Sequence, residues 1–219
     1  MSIGAAASPP SRAHRAPPPR WPLAIIGAID ELSRIVGLVA IWLVLLSALV
    51  SAFNALVRYS SGGLLWLEGA THARIFGALY SLYAYNSNLL GDTTWYMFAG
   101  IVMLGGAWAL KVNAHVRVDL LYGSIGERAR TWIDLLGGLF FLLPLCALLI
   151  WFTWNWAWTS LVTGEGSASA GGLLQWPAKM LLPVGFGLLA LQGIAEIIKC
   201  ILALTTSYIR EFAYEKPLQ

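Results

Sequence analysis

The chain reads as an all-α integral membrane protein with four transmembrane helices and an in-plane amphipathic arm helix, both termini cytoplasmic. Three observations carry that reading. Of 219 residues 58% are hydrophobic and 11% charged, against roughly 25% charged in a soluble domain, and the mean hydropathy is +0.68. Four apolar runs are each long enough to cross a bilayer, for which about 20 residues suffice. The basic residues fall mostly between alternate runs. The net charge of +3 is small, so no nucleic-acid partner is expected, while contact with membrane lipid is.

The first 28 residues are rich in Pro and Ala and carry Arg12, Arg15 and Arg20 without an apolar core long enough for a signal peptide. They read as a disordered cytoplasmic tail preceding a membrane domain over 29–207. After an amphipathic lead-in containing Asp30, Glu31 and Arg34, the run 35–57 holds no ionisable group and is the first span. Asn54 and Arg58 stand four apart at its far end, on one helical face. An interfacial cap with a snorkelling arginine and a polar contact to a partner helix are both open there.

Between 58 and 92 the residues Arg58, Glu68, His72, Arg74 and Asp92 interrupt the apolar pattern. A charge at the bilayer centre costs about 2.5–3.5 kcal/mol on insertion scales, so no spanning helix is expected. His72, Ile75, Phe76, Leu79, Tyr80 and Tyr83 follow a 3.6 period, which predicts an arm helix over about 64–85, in the interface or shallowly re-entrant. The cluster Tyr85-Asn86-Ser87-Asn88 with Gly91-Asp92 predicts a turn, with Asp92 or Thr93 capping the next helix.

The second span covers about 93–112, opening near Trp95 and including Gly100, Gly105, Gly106 and Ala107, small residues that let helices approach closely in lipid. A polar knot follows, in which His115, Arg117 and Asp119 alternate with valines. If the knot is helical, His115 and Asp119 share a face and Arg117 points elsewhere; a strand-like turn aligns all three. A proton relay and a simple loop histidine beside a juxtamembrane carboxylate both fit. The third span, about 132–158, ends in Trp151, Trp154, Trp156 and Trp158, an aromatic belt, and contains Pro144, where a kink is expected. A Gly- and Ser-rich loop with Glu165 as its one carboxylate leads to Lys179 and a fourth span over about 180–204, with Pro183 in its first turn. Glu196 and Lys199 sit one turn apart, suited to a mutual pair, and 208–219 form a short tail.

With the N-terminus inside, 11 of the 14 basic residues lie on the cytoplasmic side, leaving Arg58, Arg74 and Lys179 outside. Cys146 and Cys200 lie within apolar runs and read as small buried hydrophobes. Three histidines, one of them in the tail, leave no pair for a haem in the helix core. There is no CxxC, glycine-rich phosphate loop or GxSxG turn. Neither a catalytic site nor a metal or other cofactor is expected. A four-helix electron-transfer subunit binding haem or quinone stays as the rival reading.

Several of these segments match a known pattern: Asn54 to Tyr59 (NALVRY), Trp95-Tyr96-Met97-Phe98, Leu110 to Tyr122 (LKVNAHVRVDLLY), Glu165 with the serine-rich run and Gly171-Gly172-Leu173, and Leu182 to Phe186 with Leu191 to Ile194. Together they cover most of 30–204. In these the chain resembles the small membrane subunit of tripartite ATP-independent periplasmic (TRAP) transporters, the DctQ-like family in its longer form. The resemblance implies a bacterial inner-membrane protein bound to a large multi-span subunit that moves substrate by an elevator motion driven by a sodium gradient. A periplasmic binding protein would deliver the substrate, commonly an organic acid, and the small subunit would be a static brace. It makes Asn54, Arg58, Trp95, His115, Arg117, Asp119 and Glu165 the candidate partner-contact residues. Asp92 and Thr94 stand where the family pattern has a glutamate and a glutamine.

Overall fold

The structure, a computed structural model, describes residues 16–72, 74–114, 125–169 and 171–209. They form α1 (Arg20–Thr71), α2 (Arg74–Lys111), α3 (Glu127–Gly137), a π-helical turn (Gly138–Leu142), α4 (Leu143–Thr163) and α5 (Trp176–Thr205). With α3, the π turn and α4 taken as one rod, four helices are long and apolar enough to cross a membrane. They run up, down, up and down. Helix α5 is the hub, packed against α4, α2, α1 and α3.

Helix α1 has 52 residues, about 78 Å at 1.5 Å per residue, far beyond the roughly 30 Å hydrocarbon core. It begins at Arg20, inside the stretch expected to be tail, with Pro22 in its first turn, where a missing N–H leaves no bond unmade. One narrow seam faces inward. Ile26, Ser33, Gly37, Ala40 and Ser47 are buried, and the line continues through half-buried Val50, Asn54, Val57, Ser61 and Leu64. These steps of three and four residues are the 3.5 repeat that winds two helices into a left-handed pair. In α2 the line Phe76, Tyr80, Tyr83, Ser87, Leu90, Thr94, Met97 is half-buried with the same spacing.

The two helices form one continuous hairpin. Lys111 reaches the Asp30 carbonyl at 3.1 Å, a Cβ on Gly37 would lie 2.7 Å from the Trp108 ring, and Tyr83 reaches Asn54. The turn is at His72, in the left-handed conformation (φ 52°), whose N–H bonds to the Glu68 carbonyl.

Two expectations change here. The arm helix over 64–85 is divided, its first part ending α1 and its second opening α2. The 3.6 period is present, but Phe76, Tyr80 and Tyr83 are half-buried in line with the seam, while Ile75 and Leu79 are exposed. The expected turn at 85–92 is helix as well. Its polar side chains bond back to the preceding turn: Asn86 to the Leu82 carbonyl (2.8 Å), Ser87 to Ala84 (3.0 Å), Thr93 to Leu89 (2.7 Å) and Thr94 to Leu90 (3.0 Å). Side chains that otherwise compete with a helix here satisfy themselves within it.

At its other end α2 closes with Asn113 at φ 59°. The Ala114 N–H bonds to the Ala109 carbonyl (3.0 Å) and the Asn113 N–H to Leu110 (3.2 Å), the paired bonds of a Schellman cap. The knot residues His115, Arg117 and Asp119 lie just beyond, outside the described residues.

The Pro144 expectation takes a specific form. A proline collides with the carbonyl four residues back and cannot bond to it, and here the wider π turn, closed by the Leu143 N–H on the Gly138 carbonyl, immediately precedes it. Pro183 lies well inside α5, because the helix begins at Trp176 with Pro177 in its opening turn. Lys179, expected to open the span, lies in the first turn of this longer helix. Gly185 permits a close approach of α5 to α2, since an added Cβ would lie 2.9 Å from the Met103 carbonyl oxygen. Cys146 and Cys200 are in no disulfide, and each is 1% exposed.

Candidate functional site

Two polar constellations tie the bundle together, one at each end. At the end where α1 begins, Lys199 lies 2.9 Å from Asp30 Oδ2 and 2.7 Å from Glu196 Oε1. Gln192, with no exposed surface, donates its amide to Asp30 Oδ1 (3.0 Å) and Glu196 Oε1 (3.2 Å) and accepts from Ser33 Oγ (2.7 Å). The Lys111 ammonium adds its bond to the Asp30 carbonyl and stands 5.3 Å over the Trp108 ring. Helices α1, α2 and α5 are thus joined by a hydrogen-bonded network in which each buried charge has a partner, the condition under which ions are tolerated away from water. The Glu196–Lys199 pair was expected from its spacing. Asp30, Ser33 and Gln192 were not singled out, although Gln192 interrupts an otherwise apolar stretch of α5.

At the opposite end the 164–175 loop folds back over the bundle. Gly164 ends α4 in the left-handed conformation, and the Glu165 N–H returns to the Ser160 carbonyl (3.2 Å). Glu165 then pairs with Lys179 of α5, whose ammonium lies 4.5 Å over the Trp156 ring of α4. That hydrogen bond is the main reason the Glu165 carboxyl sits below its ordinary value of 4.5. The Gln175 N–H bonds to the Glu165 carbonyl (2.8 Å) and Ser167 N–H to Leu173 (2.9 Å). From α2, Asp92 accepts the Leu173 N–H (3.0 Å) and the Tyr96 hydroxyl donates to the Leu174 carbonyl.

Four of the seven candidate residues gather at this end. Asn54 Oδ1 accepts from Tyr83 (3.0 Å). Asn54, Arg58 and Trp95 line a polar cleft of about 570 Å³, and Trp95 also borders a second cavity of about 330 Å³ that Lys179 lines. Glu165 meets that second cavity through Lys179. His115, Arg117 and Asp119 lie outside the described residues. Asp92 and Tyr96 anchor the loop to α2. Among the described residues no cluster of three or more His, Cys, Asp or Glu side chains is placed to hold a metal, and the one described histidine, His72, is exposed at the hairpin turn.

Fold and polar geometry together define a multi-pass helical membrane protein whose buried charges link its helices to one another. The family described as "Tripartite ATP-independent periplasmic transporters, DctQ component" matches residues 81–203, more than half of the 219-residue chain. The chain belongs to this family and is a small membrane subunit of a TRAP transporter. No curated protein and no solved structure matches it.

Proposed function

We propose that this subunit is a static brace, holding a larger membrane subunit that moves substrate by a sodium-driven elevator motion. The observation that supports it most is the double tie. Ion pairs and hydrogen bonds fix α1, α2 and α5 to one another at one end, and α2, α5 and the loop that follows α4 at the other, so the bundle behaves as one stiff body and the moving part lies elsewhere. A periplasmic binding protein would deliver the substrate, an organic acid, and the complex would sit in a bacterial inner membrane with both termini of this chain cytoplasmic. The His115–Arg117–Asp119 knot would then lie on the cytoplasmic side. Asn54, Arg58, Trp95 and Glu165 would lie at the outer end, near the partner.

Co-expression with the neighbouring membrane gene tests the proposal. The two chains are expected to purify together at equal stoichiometry in mild detergent, and proteoliposomes should transport only when both are present with the binding protein. Recovery of this chain alone would overturn it. A Soret band in the purified protein would favour the haem-binding rival.

A further inference from the structure

The cleft between α1 and α2 has a composition that the bracing role does not use. It measures about 570 Å³ and is lined by polar side chains including Asn54, Arg58, Ser61 and Asp92. Arg58 has no carboxylate or ring partner among the described residues. The Asn54 carbonyl oxygen is occupied by the Tyr83 hydroxyl, which leaves its amide N–H groups as donors. Ser61 turns its own proton to the Arg58 carbonyl (2.6 Å). The one carboxylate in the lining, Asp92, already accepts the Leu173 N–H. The cleft therefore offers a cation and amide donors at its Arg58 and Asn54 side, where no carboxylate among the described residues comes within ion-pair distance of the guanidinium; Asp92 keeps its charge but turns one oxygen to the loop, so the Arg58 side is the part that suits an anionic ligand.

Its level in the bilayer narrows the choice. Arg58 immediately follows the charge-free run 35–57, and Trp95 opens the second apolar run. Tyr59, Tyr85 and Trp95 around it are 88%, 75% and 75% exposed, the aromatic belt that marks the headgroup layer. The anion present in that layer in every bilayer is the lipid phosphodiester, and the guanidinium fork matches two phosphate oxygens. The volume lies within the roughly 300–1,000 Å³ of small-molecule sites, more than inorganic phosphate needs.

We infer that this cleft is a phospholipid headgroup site, with the phosphodiester on Arg58 and the Asn54 amide. The inference needs the membrane embedding but not the bracing role.

Native mass spectrometry of the full chain in complex with its membrane partner, delipidated and titrated with short-chain phosphatidylglycerol, tests it. One lipid per chain is expected, with affinity falling about tenfold in Arg58→Ala, and by less in Arg58→Lys, which keeps the charge but loses the fork. Inorganic phosphate at the same concentration should leave the adduct in place. Equal lipid uptake by wild type and Arg58→Ala would overturn the site, including the case in which a partner carboxylate occupies Arg58. Displacement by inorganic phosphate would overturn the lipid as the source of the anion. Arg58 is exposed, and unchanged tryptophan melting curves of both variants establish that they remain folded.

Discussion

Replacing Lys199 by Met probes the tie at the start of α1 most directly. The ammonium lies 2.9 Å and 3.0 Å from the two Asp30 oxygens and 2.7 Å from Glu196 Oε1, in a residue only 8% exposed. Methionine keeps the apolar stem and removes the cation. Asp30 and Glu196 are then left around one amide, Gln192 Nε2, at 3.0 Å and 3.2 Å. Breaking a buried pair from one side costs about 3–5 kcal/mol. The two carboxylate side chains keep 16% and 20% of their surface exposed, which places the cost near the lower end, about 3 kcal/mol. At roughly 2–4 °C per kcal/mol for a chain of this size, the melting temperature should fall by about 6–12 °C. A fluorogenic thiol dye gives the readout, since Cys146 and Cys200 are in no disulfide and 1% exposed until the bundle opens. The double variant Asp30→Asn/Lys199→Met removes one stranded charge and should recover part of the loss, a coupling of about 1–3 kcal/mol. A single variant melting within about 1 °C of wild type, or a double variant falling by the sum of the singles, refutes the reasoning.

Gly185→Ala should lower stability by about 1–3 kcal/mol, because the new Cβ meets the Met103 backbone, whereas Gly187→Ala, with nothing within 4 Å, should be neutral or slightly stabilising; the same melting assay separates them. The Glu165 carboxyl titrates below its ordinary 4.5 in the folded chain, so its contribution is complete above that value and is lost as pH falls through the lower folded one. Hydrogen-exchange protection of the Gln175 amide, bonded to the Glu165 carbonyl, should therefore drop below pH 4.5 in wild type and stay flat with pH in Glu165→Gln; identical profiles would remove the pair's role. Reporter fusions after Gln219 should be active only as cytoplasmic markers, and insertions at Ala168 only as external ones; the reverse result would invert the topology.

What the sequence made legible was local. The four apolar runs, the Glu196–Lys199 pair and the small residues of α2 follow from spacing within one segment. The tie at Asp30 does not, because Asp30 and Lys199 are 169 residues apart and only the bundle brings them together. Asn86, Ser87 and Thr93 read as punctuation until their hydroxyl and amide groups are seen to bond within the helix. Likewise the charges of Arg58 and Glu68 suggest that the first span stops near Arg58, while packing against α2 carries α1 on to Thr71. Of the candidate site, Asn54, Arg58, Trp95 and Glu165 were named from motifs. Their shared location, and the anchoring by Asp92 and Tyr83, needed the three-dimensional chain.

The unbroken seam between α1 and α2 also limits how this hairpin can change length. One residue inserted in either arm rotates everything beyond it by about 100°, turning Asn54 or Tyr83 out of the contact. Seven residues restore the phase, and because the arms run antiparallel a matching seven are needed opposite. Each such step extends the hairpin by about 10 Å. Natural or engineered variants of this subunit should therefore differ between Arg58 and Gly91 in paired heptads, with His72 kept at the tip.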